Sequence, residues 1–310
     1  MNRIPLRRRY VKGLDLLGAL GVDVKEVRLI LRILSRNPLS LAGSVIILAF
    51  FATALFIAVA GVEVLPYDPY AVNIAEALQP PSSKHLLGTD NLGRDILSRI
   101  IAGTVVDAQV SVVVVAFSLA VGGLLGAVAG FYGGKIDEIV MRVTDVFLAF
   151  PGLILALAIA AALGPSLLHV MEALLVVWWP TYARLSRAEA LSVKENQYIE
   201  AAKASGLRDI EIVFRHVIPN ILSPLMIYAT LDIGSVILNA SVLSYIGLGA
   251  QHPQAEWGRM VFDGQSYLMT QWWLPIFPGI AIMVTVLGFN LLGDGLRDAL
   301  DPRLRRIVRG

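Results

Sequence analysis

Cysteine is absent from the 310 residues, so disulfides and thiolate metal sites are excluded. Charge is scarce as well: 16% of residues are charged, where a soluble globular chain carries about a quarter. Histidine occurs only at His85, His169, His216 and His252, with no HExxH zinc pattern among them. The nearest approach to a phosphate-binding loop, Gly133-Gly134-Lys135, lacks the upstream glycine and has Ile136 where Ser or Thr is needed. Gly247-Leu248-Gly249 is not followed by the rest of a dinucleotide fingerprint, and no G-x-S-x-G nucleophile elbow appears. The motifs by which a chain would hydrolyse ATP or a peptide bond by itself are therefore missing.

What the sequence does have is apolar length. Hydrophobic residues make up 56% and the mean hydropathy is +0.69. Long uncharged runs alternate with short charged segments, the pattern of membrane spans and their loops. A bilayer core of about 30 Å needs roughly 20 apolar helical residues. Six runs qualify, from about Leu39 to Gly61, Val105 to Phe131, Ile136 to Leu163, Ser166 to Tyr182, Leu222 to Ala250 and Leu274 to Leu296. The expectation is an all-α transmembrane fold of six helices. Ala58-Val59-Ala60 resembles a signal-peptide cleavage site, but about 38 residues precede the first run, far more than a charged leader carries.

The basic residues set the orientation. The arm 1–38 holds nine: Arg3, Arg7, Arg8, Arg9, Lys12, Lys25, Arg28, Arg32 and Arg36. Lys135 and Arg142 follow the second run, and Arg184, Arg187, Lys194, Lys203, Arg208 and Arg215 lie between the fourth and fifth. The tail 297–310 adds Arg297, Arg303, Arg305, Arg306 and Arg309. The opposite side has only Lys84, Arg94, Arg99 and Arg259. Basic loops stay cytoplasmic, so both termini are expected inside, which requires an even number of spans. Within the arm, Val27, Ile30, Leu31 and Leu34 recur at helical spacing among Lys25, Arg28, Arg32 and Arg36, as in an amphipathic helix on the inner membrane surface.

Three features mark the interior and the outer loops. Gly122, Gly126 and Gly130 fall on one face of the second run, where small residues let two helix backbones approach. Asp232 and Asn239 interrupt the fifth run, and a charge at mid-membrane costs about 2.5–3.5 kcal/mol on insertion scales. Asp232 is therefore expected to face either a watery pathway or a polar partner. In the outer segment 62–104, Thr89 or Asp90 is placed to cap a short amphipathic helix bearing Leu92, Ile96 and Ile100 on one face. The outer segment 251–273 holds Trp257, Trp272 and Trp273, residues suited to an interfacial belt.

The most informative stretch lies between the fourth and fifth runs and reads ENQYIEAAKASGLRDIEIVFRHVIPNILSP from Glu195. Glu195 to Ser205 is rich in helix formers, and Gly206 stands where a helix C-terminus wants a residue at positive φ. Asp209 stands near the start of a second helix, where a carboxylate is favoured. Ile210, Val213, Phe214 and Val217 form an i, i+3, i+4, i+7 stripe, which Pro219 is expected to end. The result is helix, glycine turn, helix. Ala201, Ala202 and Ala204 leave the first helix smooth enough for another protein to approach. The acids Glu195, Glu200, Asp209 and Glu211 argue against nucleic acid as that partner.

Glu200-Ala201-Ala202, then Gly206, then Ile218-Pro219 resembles the EAA loop of importer permeases of the ATP-binding cassette superfamily. LLGTDNLGRDILSR (86–99), AGFYGGKIDEIVMRVTD (129–145), YIGLG (245–249) and FNLLGDGLRDALDPR (289–303) are similar, in the same order, to the C-type permease of dipeptide, oligopeptide and nickel importers. The resemblance implies a non-catalytic subunit of a prokaryotic inner membrane, whose loop docks as a coupling helix on an ATPase. It implies as partners a second homologous permease, two ATPase subunits that bind ATP and Mg, and an extracytoplasmic solute-binding protein. Glu200, Ala201, Ala202, Ala204, Gly206, Leu207, Arg208, Asp209 and Pro219 are the docking-loop candidates. Asp232, Asn239 and Ser241 are the candidates for the translocation pathway. One departure stands out: Ala240 occupies a place that is often acidic in the family.

The resulting organisation is a basic arm (1–38), a first span (39–61), an extracytoplasmic segment (62–104), a five-helix core (105–296) that includes the coupling loop (186–221), and a basic tail (297–310). Peptides are the favoured solute, with nickel complexes or oligosaccharides as the alternative within the same class. A stand-alone carrier, the competing class, commonly shows paired intramembrane acids and inverted repeats. Here there is one central acid and no evident repeat.

Overall fold

The computed structural model describes residues 34–35 and 37–300, so the expected amphipathic arm and most of the basic tail lie outside the described residues. Among the described residues every long element is helical. The first, α1 (Pro38–Ala60), starts where the Asn37 side chain accepts from the Leu39 N–H at 3.0 Å, with Pro38 at the first helical position. Ser40, Gly43, Ile47, Phe50, Ala54 and Ile57 form its buried stripe, and α10 (Trp273–Leu300) lies against α1.

After α1 the chain makes two short 3-10 turns (Val62–Val64 and Ile74–Glu76) and enters α2 (Ile96–Tyr132). The cap of α2 is Asp95, whose Oδ2 accepts from the Ser98 N–H at 2.8 Å. This corrects the expected cap at Thr89 or Asp90. Asp90 instead spends its carboxylate on a turn, accepting from the N–H groups of Leu92 (2.8 Å) and Arg94 (3.0 Å). No separate amphipathic helix precedes the second span, because the two are one helix of 37 residues. At 1.5 Å per residue it is about 55 Å long, well beyond a bilayer core of about 30 Å.

The expected third span is broken. Helices α3 (Gly134–Leu148) and α4 (Gly152–Leu163) meet at 81°. Pro151 sits at that corner, with no N–H to carry a helix through it. Ser166 caps α5 (Leu167–Lys194), whose first half is the expected fourth span and whose second half is charged. Among the described residues four helices are long and apolar enough to cross a membrane, or five if α3 and α4 together make one span; α5 is not among them.

The tightest packing joins α2 to α5. A Cβ at Gly130 would lie 2.7 Å from the Arg187 carbonyl oxygen, and Gly122 and Gly126 press still closer on the carbonyls of Trp179 and Ala183. Only glycine fits there, as the spacing of the three residues anticipates. One apolar core gathers around this pair and takes in Val114, Phe131, Leu174, Ile199, Ile212 and Val236. A second lies between α1, α2, α10 and α9 (Trp257–Gly264), around Phe50, Ile96, Trp257 and Phe289. Trp257 and Trp273 are buried in that second core, and the Trp257 indole N–H donates to the Ile100 carbonyl at 2.9 Å. Of the three tryptophans expected at the interface, only Trp272 is exposed.

Candidate functional site

The charged loop folds as α6 (Gln197–Ala204) and α7 (Asp209–Ile212) on either side of Gly206. Gly206 has φ +84°, and its turn is a complete Schellman closure. The Gly206 N–H donates to the Lys203 carbonyl at 3.0 Å, and the Leu207 N–H to the Ala202 carbonyl at 3.3 Å. A Cβ at Gly206 would meet no other atom within 4 Å, so it is the backbone conformation that demands glycine. Glu211 then reaches back to Arg208, accepting from its backbone N–H at 3.1 Å and from its guanidinium at 3.2 Å.

The seating of α6 decides which side chains it offers. Ile199 and Ala202 are buried in the core around α2 and α5. Glu200, Ala201, Ala204, Gly206, Arg208 and Asp209 are exposed, and Leu207 is half-buried. The smooth face expected from three alanines is therefore made by Ala201 and Ala204. Ala202 turns inward, since a helix this short must bury something to stay on the protein. Tyr198, exposed on α6 and not singled out in the sequence, and Phe214, a member of the expected stripe that is exposed just beyond α7, add apolar surface. The only signal for them was two aromatic side chains in an otherwise charged loop.

Beyond α7 the helix does not stop. Val213–Val217 forms a π-helical turn, in which the Ile218 N–H donates to the Val213 carbonyl, and α8 (Ile218–Tyr245) follows directly. Pro219 is exposed in the first turn of α8, so it does not end a helix as expected; its missing N–H falls where the wider turn has already shifted the hydrogen-bond register. The expected stripe shifts as well. Ile212, Val213 and Val217 point inward, while Ile210 and Phe214 are exposed.

The three interior candidates do not converge. Asp232, on α8, is buried, and its Oδ2 accepts from the Trp178 indole N–H at 2.7 Å and the Tyr182 hydroxyl at 3.0 Å, both on α5. This is the polar-partner arrangement rather than an open one. The Asn239 amide donates to the Ser235 carbonyl of its own helix at 2.8 Å. Ser241 is buried and borders a groove of about 520 Å³ between α8, α9 and α10, shared with Leu238, Tyr245, Met283 and Asn290.

At the end of α2 remote from α6, the segments 62–95 and 246–272 are held by buried polar groups. Arg94 donates to Asp90 at 2.6 Å, Arg99 donates to the Pro69 carbonyl at 2.8 Å, and the His85 ring lies 2.9 Å from Asp95. Glu256 caps α9 through the N–H groups of Gly258 (2.9 Å) and Arg259 (2.7 Å). Burial pushes the Glu256 carboxyl above its ordinary value, and those two donors hold it down in part. Sequence periodicity gave no sign of this cluster, because its members are joined through folded loops.

Comparison with known proteins gives matches along most of the chain. Residues 122–306 match the family described as binding-protein-dependent transport system inner membrane component. Residues 27–81 match the N-terminal TM domain of oligopeptide transport permease C. A probable D,D-dipeptide transport system permease protein of Escherichia coli is 44% identical over 270 residues, covering 87% of this chain and 89% of its own. A dipeptide transport system permease protein of Alkalihalophilus pseudofirmus is 43% identical over 273 residues, covering 88% of each. A glutathione transport system permease protein of Pectobacterium atrosepticum is 41% identical over 271 residues, covering 87% of this chain and 89% of its own.

Proposed function

Since the chain belongs to the family of binding-protein-dependent transport system inner membrane components, we propose that it is the permease subunit of a peptide importer and takes its driving force from ATPase subunits docked on α6. Membership makes it an integral membrane transport subunit of a non-catalytic family. The names of its relatives favour dipeptides or oligopeptides as the solute. We further infer a heterodimer with a second permease, six spans with both termini cytoplasmic, and an extracytoplasmic binding protein that delivers the solute. The basic residues support this orientation, and the α3–α4 pair and the first half of α5 supply the remaining spans. ATP and Mg belong to the partner ATPases.

One observation carries the coupling reading. The face Glu200–Ala201–Ala204 is solvent-exposed, and its helix is seated from behind through Ile199 and Ala202 and ended by the Gly206 turn. A rigid exposed helix between two long helices is suited to pass a push from a docked subunit into α5 and α8, so that access to a central cavity alternates. Glu200 and Arg208 serve polar contacts, Ala201 and Ala204 close approach. Asn239 and Ser241 remain the proposed pathway residues, with Asp232 acting through the α5–α8 junction.

The test is co-purification of this chain with its ATPase and second permease. In Gly206→Val a β-branched residue must adopt a left-handed conformation that costs about 1–2 kcal/mol. No side chain is displaced, so membrane insertion should match wild type while ATPase recovery and uptake fall. Normal uptake by this variant would refute the assignment of the loop. A wild-type chain that transports alone would point to a carrier instead.

A further inference from the structure

Helix α6 is eight residues long and buries only Ile199 and Ala202, so little apolar area holds it to the rest of the protein. The chain leaves it on one side through Glu195 and Asn196 and on the other through Gly206, all exposed. Yet it is fastened to a third helix to which the local chain does not connect it. Phe131, in the last turn of α2, is 3% exposed. The Lys203 Nζ of α6 lies 5.2 Å from the centre of its ring, and the Lys194 Nζ at the end of α5 lies 5.9 Å from it. Both fall within the roughly 6 Å over which an ammonium is drawn to an aromatic face. The ring thus joins the ends of α2, α5 and α6.

We propose that Phe131 is a positioning residue for energy coupling: through its ring and Lys203, displacement of α6 is handed to α2. The proposal rests on the coupling reading above. Glycine contacts lock α2 to α5, so a push received at Phe131 moves the two helices as one unit. That unit runs the full length of α2 to Ile96, where Asp95 and Arg99 anchor the opposite end of the molecule. Movement at the docking helix is thereby carried along one rigid element to the segment 62–95, in addition to the route through α7 and α8.

The test uses the complete importer, reconstituted in vesicles with its ATPases, second permease and binding protein. Uptake of radiolabelled dialanine and ATP hydrolysis are measured on the same preparation for wild type, Phe131→Leu, Lys203→Met, the double variant and Lys203→Arg. Leucine keeps an apolar side chain without an aromatic face, methionine keeps an unbranched apolar chain, and arginine keeps the cation. Each of the first two should lower uptake per ATP hydrolysed by about two- to fivefold, from the usual strength of an exposed cation–π pair. The double variant should fall no further than Phe131→Leu alone, because the leucine has already removed the contact that Lys203→Met removes. Lys203→Arg should transport as wild type, and ATPase recovery should be unchanged throughout. Unaltered uptake per ATP in Phe131→Leu, additive losses in the double variant, or lost ATPase recovery would each overturn the positioning role. A wild-type chain that recovers no ATPase would instead refute the coupling reading beneath it.

Discussion

At Asp232 a single carboxylate oxygen serves two donors, the Trp178 indole and the Tyr182 hydroxyl, across the junction of α5 and α8. Removing it leaves the buried Tyr182 hydroxyl and the half-buried Trp178 indole without this partner, at about 1–3 kcal/mol for a fully buried group. Asp232→Ala should therefore lower the unfolding midpoint of the detergent-solubilised protein by several degrees. Asp232→Asn, which keeps one acceptor oxygen, should cost clearly less. A solvent-lining aspartate would give the reverse pattern, with both variants near wild type in stability and altered only in transport. The sequence announces Asp232 as costly in an apolar run, but its partners lie 54 and 50 positions away, beyond the reach of any local pattern. Trp257 teaches the same lesson. Composition suggests a membrane-interface anchor, whereas the fold buries the ring and satisfies its N–H within the second core.

Among the elements, the α2–α5 pair was the most legible, since glycines four residues apart on one face state their purpose directly. Gly126→Leu puts a branched side chain where even a Cβ would collide with the Ala183 carbonyl, so α2 must leave α5. The expected outcome is loss of the monodisperse folded species on size-exclusion chromatography, with Gly123→Ala as a control. A Cβ at Gly123 has its nearest neighbour 3.8 Å away and should leave the chain folded. The helix–glycine–helix of the α6–α7 loop was equally legible, because Gly206 accepts the positive φ of a helix end and the Asp209 carboxylate suits a helix start. Pro219 was misleading for a physical reason. Proline breaks an α-helical hydrogen-bond register, but the π turn at Val213–Val217 moves that register before the proline arrives. The cap of α2 was misplaced because Thr89, Asp90 and Asp95 all have side chains that can cap, and only folded geometry selects Asp95.

For the whole molecule, apolar run lengths and basic-residue placement together outline a polytopic membrane protein. The bend of 81° between α3 and α4 and the mixed character of α5 could not be read from run length, which treats each apolar stretch as a straight rod. The architecture has two cores joined by α2, one facing α6 and α7 and one facing the segments 62–95 and 246–272. Under the proposed coupling, displacement at α6 would pass along α2 to the segment 62–95. The natural absence of cysteine makes this arrangement directly measurable, since any introduced thiol is the only one in the chain.

Docking of an ATPase on the exposed face of α6 is examined by placing that single thiol at Ala201 or at Ala202 in the complete importer. Each variant is labelled with a benzophenone maleimide under denaturing conditions, refolded into the complex and irradiated. With an ATPase docked there, Ala201→Cys, on the exposed face, cross-links to the ATPase subunit, and Ala202→Cys, turned into the core, cross-links only within its own chain. Cross-linking of the ATPase from Ala202 and not from Ala201, or from neither, would contradict it.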